Sequence, residues 1–262
     1  MWREFLEQEG IFCARELRRD ALRIVSEARF RRIEERIGRV ESAVVFLIPY
    51  YAGQQTTNLS VYAQPRDYHL YIRILAERFG DFLEQKGSDL GFCALADSSP
   101  IDERDAALKA GLGIRGKNGL VISERYGSYF FIGELFLNRP VCPSEPVSPR
   151  SCPDCGACRR ACPTGAILDP KREECLSLIT QKKRLTPREE ELLSRATCKW
   201  GCDLCQSSCP YNEKAEETPI PFFREAHVTQ LTEEVVESDK AEFLTRAFSW
   251  RGRDVLRRNL KK

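Results

Sequence analysis

Seven of the twelve cysteines in this chain fall in two short runs, and their spacing constrains the fold more than any other feature. The first run is Cys152-x2-Cys155-x2-Cys158-x3-Cys162, followed by Pro163; the second is Cys202-x2-Cys205-x3-Cys209, followed by Pro210. Thiolates at this spacing wrap a cubane of iron and sulfide, and the fourth cysteine of such a run ligates the other cluster in two-cluster ferredoxins. That crossing gives one [4Fe–4S] cluster Cys152, Cys155, Cys158 and Cys209. The other receives Cys162, Cys202, Cys205 and one more thiol, either Cys175 or Cys198. Zinc ribbons also use Cys-x2-Cys pairs. They need neither a third cysteine two residues on nor a Cys-Pro after three more. A disulfide framework fits less well, because Trp2-Arg3-Glu4 leads into a charged stretch rather than an apolar leader.

Hydrophobic residues make up 42% of the 262 positions, enough for a sizeable core. Charged residues, at 31%, nearly cancel to a formal +2, so overall charge does not point to nucleic acid. No stretch approaches the ~18 apolar residues of a membrane span. The expectation is a protein of the reducing cytoplasm, where clusters survive, without membrane association. The longest apolar run, Ala43 to Ile48, has the length and β-branching of a buried strand.

Residues 13 to 40 read as helix, 67 to 87 as an amphipathic helix, and 92 to 96 as a short strand. A helix over 102 to 110 stops at Gly111 and Gly113, and strands are expected over 119 to 123 and 129 to 136. Strands alternating with helices argue for an α/β layer. Five prolines between Pro140 and Pro153 mark a linker or boundary. The expected organisation is an α/β catalytic domain over 1–140, a ferredoxin-like module with two clusters over 141–215, and a short helical basic tail over 216–262. Within the module a charged helix opens at Thr186-Pro187, and in the tail Thr232 is positioned to cap a first turn containing Glu233 and Glu234.

Two clusters pass electrons singly, and a bare electron conduit does not need the 150 residues that precede the module. Two elements there look like site material. Asp97-Ser98-Ser99-Pro100 follows a strand and precedes a helix. An acid at the carboxyl end of a strand is placed to donate a proton to a leaving oxygen; alternatively Asp97 or Ser99 caps a helix that Pro100 starts. The second element, Ala110 to Gly119, carries four glycines, which let a backbone approach a bulky ligand or simply turn. The only histidines, His69 and His227, are not forced into a metal role. Cys13 and Cys93 read as buried thiols, Cys142 as a free thiol in the proline stretch, and Trp200 as packing on a cluster. The last twelve residues carry six Lys/Arg against one Asp, with Lys182, Lys183 and Arg184 as a second basic clump. Such clusters suit phosphate contacts or a solvated helix end.

Several of these pieces together resemble the epoxyqueuosine reductases: Asp97-Ser-Ser-Pro-Ile-Asp-Glu-Arg104, Ala110-Gly-Leu-Gly-Ile-Arg-Gly-Lys-Asn118, Tyr126-Gly-Ser-Tyr-Phe-Phe-Ile-Gly-Glu134, Arg66-Asp67-Tyr68-His69 and Gly201 to Asn212. The tail from Phe243 through Arg251 to Asn259 resembles the family as well. The resemblance implies a nitroreductase-like α/β domain binding base-off cobalamin beside one of two [4Fe–4S] clusters. The implied reaction removes the epoxide oxygen of epoxyqueuosine in tRNA as water, leaving queuosine. It implies Asp97 as the proton donor and Cys175 as the remaining cluster ligand. Arg66, Tyr68, Asp97, Gly113, Gly116, Lys117, Asn118 and Ser128 are the implied cobalamin contacts. It further implies a low-potential donor such as a flavodoxin or ferredoxin, a monomer, and a short form without the C-terminal helical repeats of the usual members. Alternatives are a cobalamin and [4Fe–4S] reductase of another small substrate, in the manner of reductive dehalogenases, and a non-catalytic electron carrier.

Overall fold

The computed structural model describes residues 1–53, 55–167 and 171–262. They form two compact units: Met1–Pro49, Tyr68–Gly116 and Leu120–Cys152 in the first, and Tyr50–Asp67, Lys117–Gly119 and Pro153–Lys262 in the second. Among the described residues no helix is long and apolar enough to cross a membrane.

The first unit contains α1 (Trp2–Gln8), β1 (Ala14–Arg18), α2 (Glu27–Ile37), β2 (Ser42–Pro49), α3 (Tyr68–Gln85), β3 (Phe92–Ala96), α4 (Glu103–Lys109), β4 (Ile114–Arg115), β5 (Val121–Ile122) and β6 (Phe130–Leu137). Its main sheet has the order β1-β2-β6-β3, and every pairing is antiparallel. This makes the unit α+β, although helices and strands alternate along the chain. All eight residues of β2 are buried, because both faces of the strand are covered. Ala43, Val45 and Leu47 pack with Phe30 and Ile33 of α2 and with Ala106 and Ala107 of α4. On α3, Phe79 meets Phe5 of α1 and Phe92 of β3, each at 4.9 Å between ring centroids. Each fully buried side chain of this size contributes about 1.5–3 kcal/mol.

Residues 13 to 40, expected as one helix, instead form β1, a turn and α2, which ends at Gly38 with φ +86°. Pairing with β2 overrides the helical periodicity. The override is anchored by Glu16, which is fully buried and accepts hydrogen bonds from Trp2 Nε1, Ser42 Oγ and the Val141 and Cys142 amides. Those last two bonds also revise the proline linker. It is a strap laced onto the first unit, with further bonds from Val147 N to Lys109 O and from Cys152 N to Arg115 O. The first unit therefore runs to Cys152 rather than to residue 140.

The second unit is built from α5 (Ala157–Ala161), α6 (Leu176–Ile179), α7 (Pro187–Ser194), α8 (Leu204–Ser207), α9 (Glu233–Glu237), α10 (Lys240–Leu244) and α11 (Arg253–Leu260). Thr186 and Glu189 close a capping box on α7, and Thr232 accepts from Val235 N to cap α9. The tail does not stand apart from the cysteine segment. Trp200, wholly buried, packs with Leu231, Val236, Phe243, Phe248 and Leu256 and donates from Nε1 to Tyr62 Oη at 3.0 Å. Trp200 is thus a core residue of the tail region. Buried Asn259 donates from Nδ2 to the carbonyls of Thr180 (2.7 Å) and Lys199 (2.8 Å), tying α11 to the segments flanking α7.

Candidate functional site

The first unit has a half-open cavity of about 180 Å³ lined by Tyr68, Asp97, Glu103, Arg104, Ser128 and Phe131, among others. Asp97 stands immediately after β3 in a backbone conformation with φ +64°, and Ser98 N donates to Ala96 O at 2.7 Å across it. That is a γ-turn with a positive central φ, a rare and strained arrangement for a residue with a Cβ. Tyr68, the first residue of α3, stacks on Phe131 at 3.9 Å and donates from Oη to Asp97 Oδ2 at 2.9 Å. Asp97 is solvent-exposed and does not cap the following helix. Asp102 fills that role, accepting from Asp105 N. The capping explanation for Asp97 and Ser99 is therefore excluded.

One further acid lines the cavity and another is buried within electrostatic reach of it, and sequence reasoning gave neither a role. Glu103, in the first turn of α4, is pushed up to about 7, first by burial and then by the nearby Asp97 charge. Glu134, in the middle of β6, is fully buried. Burial foremost, then the charges of Glu103 and Asp97, raise its carboxyl well above the usual carboxylate range. A signal was available for Glu134, the one charged residue in the apolar strand Phe130–Leu137.

The glycine loop divides its work. Gly111, at φ +68°, follows the end of α4. A Cβ on Gly113 would meet Ile122 O at 2.6 Å, so close packing of the β4–β5 pair requires glycine there. Gly116 N donates to Leu120 O and closes a turn. Lys117, Asn118 and Gly119, at the tip of that turn, belong to the second unit.

There they line a cavity of about 600 Å³ together with Cys162, Cys175, Cys202 and Cys205. These are the four thiols of one expected cluster, with Cys175 in the open place. Burial, then the charges of Cys202, Cys175 and Cys162, push the Cys205 thiol up to about 12. A thiol held back from ionising by burial and by neighbouring thiolates gains from positive charge in the cavity, which iron supplies. Among the described residues no three His, Cys, Asp or Glu side chains converge as they would on a single ion. Cys198 is buried beside Cys202 rather than on the cavity, and its hydrogen bond holds the Cys202 thiol down to about 7. Helices α5 and α8, one from each cysteine run, pack on each other. Arg66 pairs with Glu225 at 3.7 Å and lies over the Phe222 ring.

The comparisons with known proteins fall on these same segments. Residues 151–212 match the 4Fe-4S double cluster binding domain, so the chain carries a module for two such clusters. Residues 31–98 match the family described as epoxyqueuosine reductase QueG, DUF1730. The epoxyqueuosine reductase of Escherichia coli strain K12 is 36% identical over 181 residues, which are 67% of this chain and 48% of that protein. That of Lactococcus garvieae strain Lg2 is 34% identical over 203 residues, 74% of this chain and 57% of that one. The chain thus spans about half the length of the curated relatives it matches. Among solved structures, the epoxyqueuosine reductase from Streptococcus thermophilus superposes with a TM-score of 0.76 at 23% identity, covering 98% of this chain and 78% of that one. A structure of an epoxyqueuosine reductase with an epoxyqueuosine-modified tRNA-Tyr stem loop gives the same TM-score, identity and coverage. The fold, the double-cluster module and these relatives agree: the chain belongs to the epoxyqueuosine reductase family.

Proposed function

We propose that the protein reduces epoxyqueuosine to queuosine in tRNA, using cobalamin and two [4Fe–4S] clusters. The observation that carries this reading is Asp97, held by Tyr68 on a strained turn at the mouth of an acid-lined cavity, in a chain that also carries the double-cluster module. The reaction breaks two C–O bonds, forms two O–H bonds and consumes two electrons and two protons. Cobalamin, when bound, supplies the low-valent cobalt that delivers electrons to the epoxide carbon, and the protein supplies position and protons.

The residues present fit such a group. Lys117 and Asn118 put a cation and an amide at the cysteine-lined cavity, as the amide rim of a corrin requires. Gly119, at φ +83°, has nothing within 4 Å of where a Cβ would stand. Ser128, Tyr68 and Asp97 supply hydroxyl and carboxyl groups in the first unit, while Arg66, Gly113 and Gly116 set local backbone and packing. Asp97 gives its proton to the epoxide oxygen, and Tyr68 holds the carboxyl in place. Electrons enter from a low-potential donor of the flavodoxin or ferredoxin kind, in the cytoplasm, to a monomer. For the tRNA, Trp250 is exposed beneath the Arg251 guanidinium at 4.0 Å, a stacking platform with a cation. Arg258 bonds the carbonyls of Lys182 and Lys183, joining the two basic clumps within the second unit. Arg253 and Arg257 are occupied by internal partners.

An anaerobic EPR spectrum of the reconstituted protein with added cobalamin tests the reading. A base-off cob(II)alamin signal beside reduced [4Fe–4S] signals is expected. Cluster signals with an unaltered cobalamin spectrum would leave an electron carrier. Asp97→Asn is expected to lower turnover by about 10²-fold or more while cobalamin still binds; full activity in that variant removes the proton-donor role.

A further inference from the structure

Reducing the epoxide oxygen to water takes two protons, and Asp97 carries one. Each unit of the reaction therefore needs a second proton delivered to the same place. The first unit buries two isolated acids, and they contrast sharply. Glu16 accepts four hydrogen bonds and is fully accounted for by the strap and strand it joins. Glu134 is equally buried, and neither of its carboxyl oxygens has a hydrogen-bond partner. Leaving a buried carboxyl unsatisfied costs a few kcal/mol, so folds retain such groups where they serve a purpose.

Glu134 is placed for one. Across the sheet it pairs in register with Val45 on β2 and Leu95 on β3, both apolar. Asp97 lies two residues beyond Leu95 along the chain. From α4, which packs on β6, Glu103 lines the same cavity as Asp97 and bears electrostatically on both Asp97 and Glu134. One oxygen of Glu103 is also buried without a partner. The charges acting on Glu134 are both acidic, Glu103 and Asp97, and the Ser99 hydroxyl nearby falls short of hydrogen-bond geometry. Arg104 is the cation next to Glu103 and lines the same cavity.

We propose that Glu134 is an internal proton store that reprotonates Asp97 through Glu103. The inference rests on the reductase reading above. Asp97 gives its proton to the epoxide oxygen and becomes a carboxylate. Glu103 passes its proton to Asp97 and takes one from Glu134, and Asp97 then gives the second proton that completes water. Glu134 recovers its proton from solvent through Glu103 and Asp97 after product leaves. The two electrons come from the low-potential donor by way of the clusters, so charge balances.

Glu134→Gln copies the shape of the protonated acid and keeps the fold. In infrared spectra of the substrate-free holoprotein at neutral pH, a protonated-carboxyl stretch is expected in wild type and in Asp97→Asn. Glu134→Gln should lose one component of that band and keep the component that belongs to Glu103. A wild-type spectrum without that band overturns the proposal. In turnover of an epoxyqueuosine-modified tRNA stem loop, Glu134→Gln should lower kcat by about 10²-fold with KM unchanged, and raise the solvent deuterium isotope effect. An unchanged kcat and isotope effect in Glu134→Gln, beside an inactive Asp97→Asn, overturns the relay and leaves the reductase reading standing. Inactive wild type on that substrate removes the reductase reading instead, and the infrared band still decides whether Glu134 holds the proton.

Discussion

The two units hold their reactive groups by opposite means. In the first, the eight-residue buried strand β2 and its neighbour β6 form a rigid support, with Asp97 and Glu103 on one cavity and Glu134 buried in the sheet. In the second, the thiols sit on or beside helices of four and five residues, far shorter than a helix that is stable by itself in water. A stiff sheet can carry a strained Asp97 and an unsatisfied Glu134, because the surrounding structure over-determines them. The cysteine segment has no such frame, and metal–ligand bonds are its natural cross-links.

Iron removal should expose that difference most strongly. After anaerobic chelation, limited proteolysis is expected to cut between residues 155 and 182 while β2 and β6 stay protected. Equal resistance throughout the apo protein would abolish the contrast. A titration sharpens it from the other side. The folded Glu103 sits above its ordinary 4.5, at about 7. Its stabilising contribution is therefore complete below 4.5 and is lost as pH rises through 7. The loss amounts to at most about 3 kcal/mol, and Glu134, also raised, acts in the same direction. Thermal unfolding of the first unit should weaken accordingly with rising pH, and Glu103→Gln should flatten the slope; an identical slope in the variant rejects the shift. Next in size, Asn259→Ala strands the carbonyls of Thr180 and Lys199 and should cost the second unit about 2 kcal/mol in denaturant unfolding, leaving the first unchanged. Arg257→Ala breaks only exposed pairs, with Glu237 and Asp254, and should cost less than about 1 kcal/mol by the same measurement.

The same contrast explains what could be read from the chain. Seven of the eight proposed cluster ligands are spaced within two short runs, so local order suggests the chemistry, while Cys175, chosen by resemblance over Cys198, lines a cavity with Cys162, Cys202 and Cys205. Helix α3 and strand β3 were legible because amphipathic or β-rich periodicity runs unbroken through each. Strand β1 was not: its charged residues mimic a helical face, and only pairing with β2 and the buried Glu16 make it extended. Glu103 and Glu134 were hidden for a related reason. Thirty-one positions separate them; the antiparallel pairing of β3 with β6 sets Glu134 opposite Leu95, two residues before Asp97, while α4 carries Glu103 to the Asp97 cavity.

One feature of the backbone reaches into heredity. The chain passes from one unit to the other five times, after Pro49, Asp67, Gly116, Gly119 and Cys152. Tyr68, which holds Asp97, is the first residue after one such passage, and the Lys117–Gly119 tip is bounded by two more. No single crossover between two genes can exchange the acid-bearing unit while keeping the cysteine-bearing one. A crossover at Cys152 would carry Asp97, Glu103 and Glu134 away together, but with the Tyr50–Asp67 and Lys117–Gly119 segments of the cysteine-bearing unit.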